Sequence, residues 1–145
     1  MQNNAAHAFS VAGKKGLVLG VANDRSIAWG CTAQARAQGA EVVASCLNDK
    51  ARKWVTPLTD PIGVDLVNCN VEEPGQLEAL VEHAVRKLGK LDFVIHSIAW
   101  APLDDLHGDV VDSSREGFAR AISVSCHSFA ELAKLCAPHM PDGGS

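Results

Sequence analysis

Short apolar runs alternate with longer segments of helical period along this sequence. Four of the runs predict β-strands, at residues 16–20, 41–46, 64–69 and 91–96. The last run reads Leu-Asp-Phe-Val-Ile-His, and its largely unbroken apolar character suits a strand buried on both faces of a parallel sheet. The pattern therefore predicts a sheet that is covered by other elements.

The segments between the runs predict helices. The most regular lies at 74–88, where apolar residues recur at i, i+3, i+4, i+7, i+8 and i+11, with acidic residues near its start and basic residues at its end. Residues 26–38 are rich in alanine and predict a helix closed by Gly39. Residues 48–54 predict a short helix that stops before a turn region at 56–61.

A long helix is predicted at 113–136, after a loop at 99–111, and Pro138 ends it. Its predicted apolar stripe comprises Phe118, Ala121, Ile122, Ser125, Phe129, Leu132, Ala133 and Cys136.

Strands that alternate with helices over short connections predict right-handed crossovers. The fold class is therefore α/β, a Rossmann-like doubly wound parallel sheet with helices on both faces. In the usual strand order 3-2-1-4-5-6, this sequence supplies the first four strands. We expect the fourth strand to lie at an edge of the sheet.

Charge and composition exclude several classes of function. The net charge is −4, and the 13 Lys and Arg residues are scattered, so a nucleic-acid partner is not expected. No apolar stretch reaches the ~18 residues that a membrane span needs, and residues 1–13 read as a loose polar tail rather than a signal peptide. The 5 cysteines form no CxxC pair, which favours free thiols in a reducing cytoplasm.

A glycine-containing turn joins the first strand to the first helix. Backbone amides in such a turn approach a pyrophosphate closely, and the helix N-terminus favours negative charge. The dinucleotide pattern GxGxxG is absent. Instead, Gly20 is followed after five residues by Ser26-Ile27-Ala28 and then by Gly30.

A second stretch follows the fourth strand and reads His-Ser-Ile-Ala-Trp-Ala-Pro at 96–102. Together with the Gly20 turn, it resembles the bacterial enoyl-acyl-carrier-protein reductases, which are divergent short-chain dehydrogenase/reductases. Residues 105–108, 114–118 and 123–129 are similar to the same family. The resemblance runs from about Lys14 to the end, so it implies that residues 14–145 are the N-terminal portion of a single dinucleotide-binding reductase domain.

The resemblance implies binding positions for NADH and for substrate. The cofactor positions are Gly20, Ser26 and Ile27 at the diphosphate, Leu47 at the adenosine end, Asn70 and Val71 beside the adenine, and Ser97, Ile98 and Ala99 along the ribose and nicotinamide. Ala101 matches a backbone position that faces substrate and inhibitors.

The sequence departs from the family pattern at the adenosine end. Leu47 stands where the family often has Gln, which exchanges a polar contact for an apolar one. Asn70 replaces an Asp and keeps a carbonyl acceptor and an NH₂ donor without the charge. Asp49, near the end of the second strand, favours the unphosphorylated ribose of NADH, although it also suits the start of a helix as a cap or dipole partner.

The activity that the resemblance implies is NADH-dependent reduction of the trans-2 double bond of enoyl thioesters on acyl-carrier protein, in fatty-acid biosynthesis. Family members pass hydride to the β-carbon, stabilise the enolate with a tyrosine and the ribose, and hold that ribose with a lysine. The pair lies as Tyr-x6-Lys after a fifth strand. This sequence contains 0 Tyr, so we expect the catalytic residues to lie beyond Ser145. A cytoplasmic homotetramer packed through its long helices is also implied.

Other interpretations stay open at this point. One is a different short-chain reductase that acts on ketones or alcohols, and another is a non-catalytic nucleotide-binding module. Acidic and histidine residues crowd one loop, namely Asp104, Asp105, His107 and Asp109. Their spacing fits no standard metal site, so we expect a solvated loop and no metal.

Overall fold

The computed structural model describes residues 10–145, and residues 1–9 of the predicted tail lie outside the described part. Four parallel strands form one sheet in the order β3-β2-β1-β4. Their bounds are β1 (Lys15–Leu19), β2 (Glu41–Cys46), β3 (Asp65–Asn68) and β4 (Phe93–His96). The predicted Rossmann-like parallel sheet is therefore confirmed.

Helices cover both faces of the sheet. Their bounds are α1 (Ile27–Ala37), α2 (Asp49–Thr59), α3 (Gln76–Leu88), α4 (Arg115–Ile122) and α5 (Ser128–Cys136). Successive residues of β1 point to opposite faces. Leu17 and Leu19 pack with α3 and α5, whereas Val18 packs with α1 and α2. The sheet is thus buried from both sides, as its apolar strands require.

The pairing of β1 with β4 depends on shape as well as on backbone hydrogen bonds. Gly16 lies opposite Phe93 in the register of the two strands. A Cβ added at Gly16 would overlap the Phe93 ring, so the aromatic side chain occupies the space that the glycine leaves empty.

The helix α2 extends further than the sequence predicts. The predicted end at Trp54 and the turn at 56–61 are wrong, because the helix continues through Pro57 to Thr59. Burial of Val55 and Thr59 holds the extra turn against the sheet. Proline has no N–H, so Pro57 leaves the Lys53 carbonyl without its helical partner. Lys53 is exposed, which keeps the cost of that missing bond low.

The predicted helix at 113–136 contains a wider π turn at Ser123–His127. In that turn the backbone N–H of Ser128 donates to the carbonyl of Ser123, five residues back. The buried residues along this segment are Gly117, Val124, Ser128, Leu132 and Cys136. Of the predicted stripe, Leu132 and Cys136 are buried and Ala121 and Ser125 are half-buried, whereas Phe118, Ile122, Phe129 and Ala133 are exposed. The prediction carried a constant helical period through a turn that holds an extra residue.

The outer edge of β4 is contacted by the last residue of the sequence. The backbone N–H of Val94 donates to the Ser145 carbonyl at 2.8 Å, and the Ser145 N–H donates to the Asp92 carbonyl at 3.2 Å. This is the alternating pattern of a parallel pairing, so the expected bare edge is partly covered.

Candidate functional site

A cleft of about 440 Å³ lies at the carboxyl ends of the four strands. It is lined by residues 20–22, 45–48, 69–72 and 97–100, with Ala51, Arg120 and Val124. The strand β1 has β2 on one side and β4 on the other, and the chain crosses to opposite faces from this point. In open α/β sheets, ligands bind in the crevice at such a switch point.

The cleft brings together most of the residues that the sequence singled out for cofactor binding. Those that line it are Gly20, Leu47, Asn70, Val71, Ser97, Ile98 and Ala99. Ser26 and Ile27 do not line it: Ser26 caps α1, and Ile27 is 76% exposed at the first position of that helix. Ala101 lies half-buried, one residue beyond the lining residue Trp100.

At Gly20 the loop after β1 closely approaches the loop after β4. The Gly20 φ of +97° lies in the region that side-chain-bearing residues rarely adopt. A Cβ added there would overlap the backbone carbonyl oxygen of Ser97. The Ser97 N–H also donates to the Leu19 carbonyl at 3.1 Å, so the Gly20 turn and the segment after β4 are held against each other.

The hydroxyl of Ser26 shapes the turn after Gly20. It accepts from the backbone N–H groups of Ala22 at 3.3 Å and Trp29 at 3.4 Å, and it donates to the Asn23 carbonyl at 2.7 Å. Both lone pairs and the proton are thereby engaged. Ser26 holds the N-terminus of α1 in place, and the first amides of that helix remain available to an anion.

Asn70 lines the cleft and is held by two hydrogen bonds within its own turn. Its Oδ1 accepts from the Glu72 N–H at 3.1 Å, and its own backbone N–H donates to Gln76 Oε1 at 2.8 Å. The Glu72 N–H requires an acceptor, which fixes the orientation of the amide. No hydrogen bond within the described residues occupies the side-chain NH₂, which leaves it available to a ligand.

The residues after β2 are organised by Asn48, whose side chain caps α2 by accepting from the Ala51 N–H at 3.0 Å. Asp49 does not line the cleft, and its Oδ1 accepts from the Asn68 side chain at 2.6 Å. Asp49 therefore belongs to the first turn of α2, where an acidic group is favoured. Leu47 remains exposed at the rim.

A cluster of Glu72, Trp100 and Arg120, which sequence reasoning missed, closes one side of the cleft. The Arg120 guanidinium bonds both carboxylate oxygens of Glu72, at 2.6 and 2.9 Å, and lies 4.0 Å from the centroid of the Trp100 ring. The hydrogen bond from Arg120 lowers the pKa of Glu72, so the carboxylate is charged at neutral pH. The pair is separated by 48 residues, so no local pattern signals it.

A family model described as enoyl-(acyl carrier protein) reductase matches residues 20–145 of this sequence. The chain belongs to that reductase family. The match confirms the family resemblance that the motifs around Gly20 and Ser97 predict.

Individual relatives agree with this assignment. The enoyl-acyl-carrier-protein reductase (NADH) 2 of Rhizobium meliloti is 41% identical over 134 residues, covering 92% of this chain and 50% of that protein. The Nostoc FabI reductase is 40% identical over 140 residues, covering 94% and 54%. A crystal structure of the Anaplasma phagocytophilum reductase in complex with NAD has a TM-score of 0.84 at 37% identity, covering 89% and 50%. The chain thus spans about half the length of these reductases.

The thiols in the cleft wall of this reductase-family chain are buried and protonated. Burial raises the pKa of Cys46, and it raises that of Cys69 to about 11. A thiol that stays protonated is neither a nucleophile nor a ready metal ligand. Both cysteines therefore act as small apolar groups at the ends of β2 and β3.

The crowded loop after β4 uses its acidic residue Asp105 to start α4. Its carboxylate accepts from the Ser114 N–H at 3.0 Å and from the Ser114 hydroxyl at 2.7 Å. Across residues 10–145, no three His, Cys, Asp or Glu side chains are grouped as a metal site would need. Within the same range, no helix combines the length and apolar character of a membrane span.

His96 ends β4, and its imidazole is hydrogen-bonded to the buried Ser128. The distance from Nε2 to the Ser128 hydroxyl is 2.7 Å, and the same hydroxyl donates to the Val124 carbonyl at 2.7 Å. Because the hydroxyl has a single proton, Nε2 of His96 carries a hydrogen and donates it. Burial lowers the pKa of His96 from its ordinary 6.5, and the Phe129 ring packs edge-on at 5.7 Å.

The lowered pKa of His96 predicts a pH-dependent stability. The unfolded chain takes up a proton at about pH 6.5, before the folded protein does. Above that pH, neutral His96 makes its full contribution to the free energy of unfolding. This contribution is lost as the pH falls through the lower pKa of His96 in the folded protein. His96→Gln keeps an N–H donor for Ser128 but does not titrate, so the stability advantage of the wild type over this variant should decline below pH 6.5.

Thermal unfolding of both proteins at matched pH values tests this expectation. Other titrating groups are common to the two proteins and cancel in the difference. A difference that stays constant from about pH 8 to about pH 5 would contradict the assignment.

Proposed function

We propose that the intact protein is an NADH-dependent enoyl-acyl-carrier-protein reductase and that this chain supplies its cofactor-binding half. The reaction reduces the trans-2 double bond of enoyl thioesters on acyl-carrier protein in fatty-acid biosynthesis. The observation that carries the proposal is the close approach of the Gly20 turn to Ser97 in one cleft. The names of the NADH-dependent relatives support it.

The residues present suit a dinucleotide. The absent Cβ of Gly20 leaves its backbone open to close approach, and the N-terminus of α1 follows the turn, so a pyrophosphate would find amides and a favourable dipole. Val71 and Ile98 provide apolar surface within the same cleft. We assign Gly20, Ser26 and Ile27 to the diphosphate, with Ser26 acting through the turn that its hydroxyl holds together.

At the adenosine end we assign Leu47, Asn70 and Val71. The Glu72 N–H occupies one lone pair of Asn70 Oδ1, so the amide retains its NH₂ donor and one acceptor lone pair for a ligand. A donor pairs with a ring nitrogen of adenine, whereas the exocyclic amino group would need an acceptor. Asn70 can thus serve either partner, whereas the ionised acidic residue of the family pattern only accepts.

Ser97, Ile98 and Ala99 are assigned to the ribose and nicotinamide, and Ala101 to the substrate side. A bound nicotinamide would supply hydride chemistry for the β-carbon of the enoyl thioester, and completing the reduction would also require a proton donor. His96 is unsuited to that task because its Nε2–H is committed to Ser128, and the buried thiol of Cys69 has a pKa of about 11. With 0 Tyr in the sequence, the acid comes from outside this half.

The first test is turnover by the intact protein. Crotonyl thioester on acyl-carrier protein should oxidise NADH, followed through its absorbance, whereas an acetoacetyl thioester should not. Preference for the ketone would instead indicate another short-chain reductase. Binding of NADH without oxidation by either substrate would indicate a nucleotide-binding module.

Gly20→Ala should weaken NADH binding by about 1–3 kcal/mol, because the new Cβ strains the backbone and pushes the Ser97 carbonyl out of the cleft. Gly89→Ala is the matched control. Gly89 also has positive φ, at +82°, but its added Cβ meets nothing within 4 Å and it lies at the far end of α3. Fluorescence titration that finds equal NADH affinities in the two variants would contradict the role of Gly20.

The preference between NADH and NADPH should follow from the charges near Leu47 at the rim of the cleft. Arg120 is the one cationic side chain among the described residues that line the cleft, and Glu72 neutralises it. Among the described residues that line the cleft, no cation is therefore left unpaired for the 2′-phosphate of NADPH. We expect NADH to bind at least about 10-fold more tightly than NADPH, because an unpaired phosphate loses its charge-assisted hydrogen bonds.

Leu47→Arg should supply that cation and lower the dissociation constant for NADPH by about 10-fold, with a smaller effect on NADH. Leu47→Met changes the side chain without adding charge and should leave the preference intact. An unaltered ratio of the two dissociation constants in the arginine variant would show that Leu47 lies away from the ribose.

We also propose acyl-carrier protein as partner, a cytoplasmic location and self-association through α4 and α5. Three large apolar side chains are exposed along that helical face: Phe118 at 60%, Ile122 at 47% and Phe129 at 57%. Exposed apolar patches of this kind mark interaction surfaces. The tetramer of the family pattern would bury them.

Phe118→Glu should therefore reduce the mass measured by light scattering below that of a tetramer, because a carboxylate would be buried at the interface. Val111→Glu is the matched control, since Val111 is 89% exposed but lies outside the two helices. A tetramer that persists in the Phe118 variant would place the interface elsewhere.

A further inference from the structure

The π turn at Ser123–His127 packs against residues 96–100, which are called here the cofactor-facing segment. Wider turns of this kind occur frequently at functional sites. Val124 is buried within the turn and lines the cleft. Two serine hydroxyls follow Val124 along the helix, at Ser125 and Ser128, and each reaches a different end of the cofactor-facing segment.

Ser125 holds the far end of the segment. Its Oγ accepts from the Trp100 N–H at 3.0 Å and donates to the Trp100 carbonyl at 3.2 Å. One hydroxyl thus satisfies both backbone groups of one residue, in a half-buried position where water is partly excluded. Loss of this hydroxyl would leave a donor and an acceptor of the loop without partners.

Ser128 holds the near end. Its hydroxyl, which is 1% exposed, accepts from Nε2 of His96 and donates to the Val124 carbonyl. The bond to Val124 fixes the hydroxyl rotamer, so the remaining lone pairs are aimed at the imidazole. The end of β4 is therefore joined to the helix through a buried side chain.

Between the two held ends lie Ser97, Ile98 and Ala99, all of which line the cleft. The Ser97 N–H is bonded to the Leu19 carbonyl at the end of β1. A short segment that is fixed at both ends keeps few conformations, so little entropy remains to be lost when a ligand binds against it.

We propose that Ser125 and Ser128 are positioning residues that preorganise the cofactor-facing segment for NADH. The assignment rests on the proposed function. Neither hydroxyl needs to touch the cofactor, because each acts through Trp100 or His96.

The test compares Ser125→Ala and Ser128→Ala with the hydroxyl-retaining variants Ser125→Thr and Ser128→Thr in the intact protein. Cys126→Ala, an exposed change in the same turn, is the control. Each alanine variant should raise the dissociation constant and KM for NADH by about 10-fold, as expected for a lost buried hydrogen bond, while kcat at saturating NADH changes less than about 3-fold. The threonine variants should recover most of the affinity.

Hydrogen exchange of the Trp100 amide, measured without cofactor, separates this proposal from the proposed function. Ser125→Ala should speed that exchange by about 10-fold, because the amide loses its acceptor. A wild-type protein that does not bind NADH would overturn the proposed function, while the exchange would still decide whether Ser125 holds the segment. Unchanged exchange, or NADH affinity within about 2-fold of wild type in both alanine variants, would overturn the positioning role.

Should Ser128→Ala fail to fold, substitution of His96 probes the same contact from the other side. His96→Gln retains a donor to the Ser128 hydroxyl, and His96→Leu removes it. The proposal requires weaker NADH binding in the leucine variant only. Equal affinities in the two variants would overturn the role of Ser128.

Discussion

The backbone contact between Gly20 and Ser97 is the constraint on which the cleft depends. The strands β1 and β4, which are distant in sequence, must end level with each other in the sheet. The loops that follow them must then pass so close that no Cβ fits between them. The parallel sheet provides this arrangement because it places all strand carboxyl ends at one edge. The neighbouring contacts, from Ser26 in one loop to Ser125 in the helix opposite, hold the two loops in that position.

Features set by local sequence could be predicted well. The strand at Glu41–Cys46 was predicted to the residue, because a short, largely apolar run with two valines lies between a glycine-alanine turn and an asparagine cap. The helix α3 followed its apolar period and begins within two residues of the prediction. The family motifs at Gly20 and at 96–102 were recognisable because each occupies one continuous stretch of sequence.

Features set by long-range packing could not be predicted. The continuation of α2 through Pro57 depends on the burial of Val55 and Thr59 against a sheet formed by other segments. The π turn shifts the helical period without a clear local signal, so the predicted stripe was misplaced at Phe118 and Ile122. Assigning Ser26 to the turn rather than to the cleft also required its three hydrogen-bond partners to be seen together.

The fit of Phe93 over Gly16 acts as a check on strand assembly. Sliding β4 by one residue would turn its side chains to the wrong faces, and sliding it by two would set the ring against Val18, which carries its own buried side chain. The native alignment instead places the aromatic ring over a residue that has no side chain. A misaligned pairing of β4 with β1 would therefore be destabilised by steric overlap, and the strands would separate before the full set of hydrogen bonds formed.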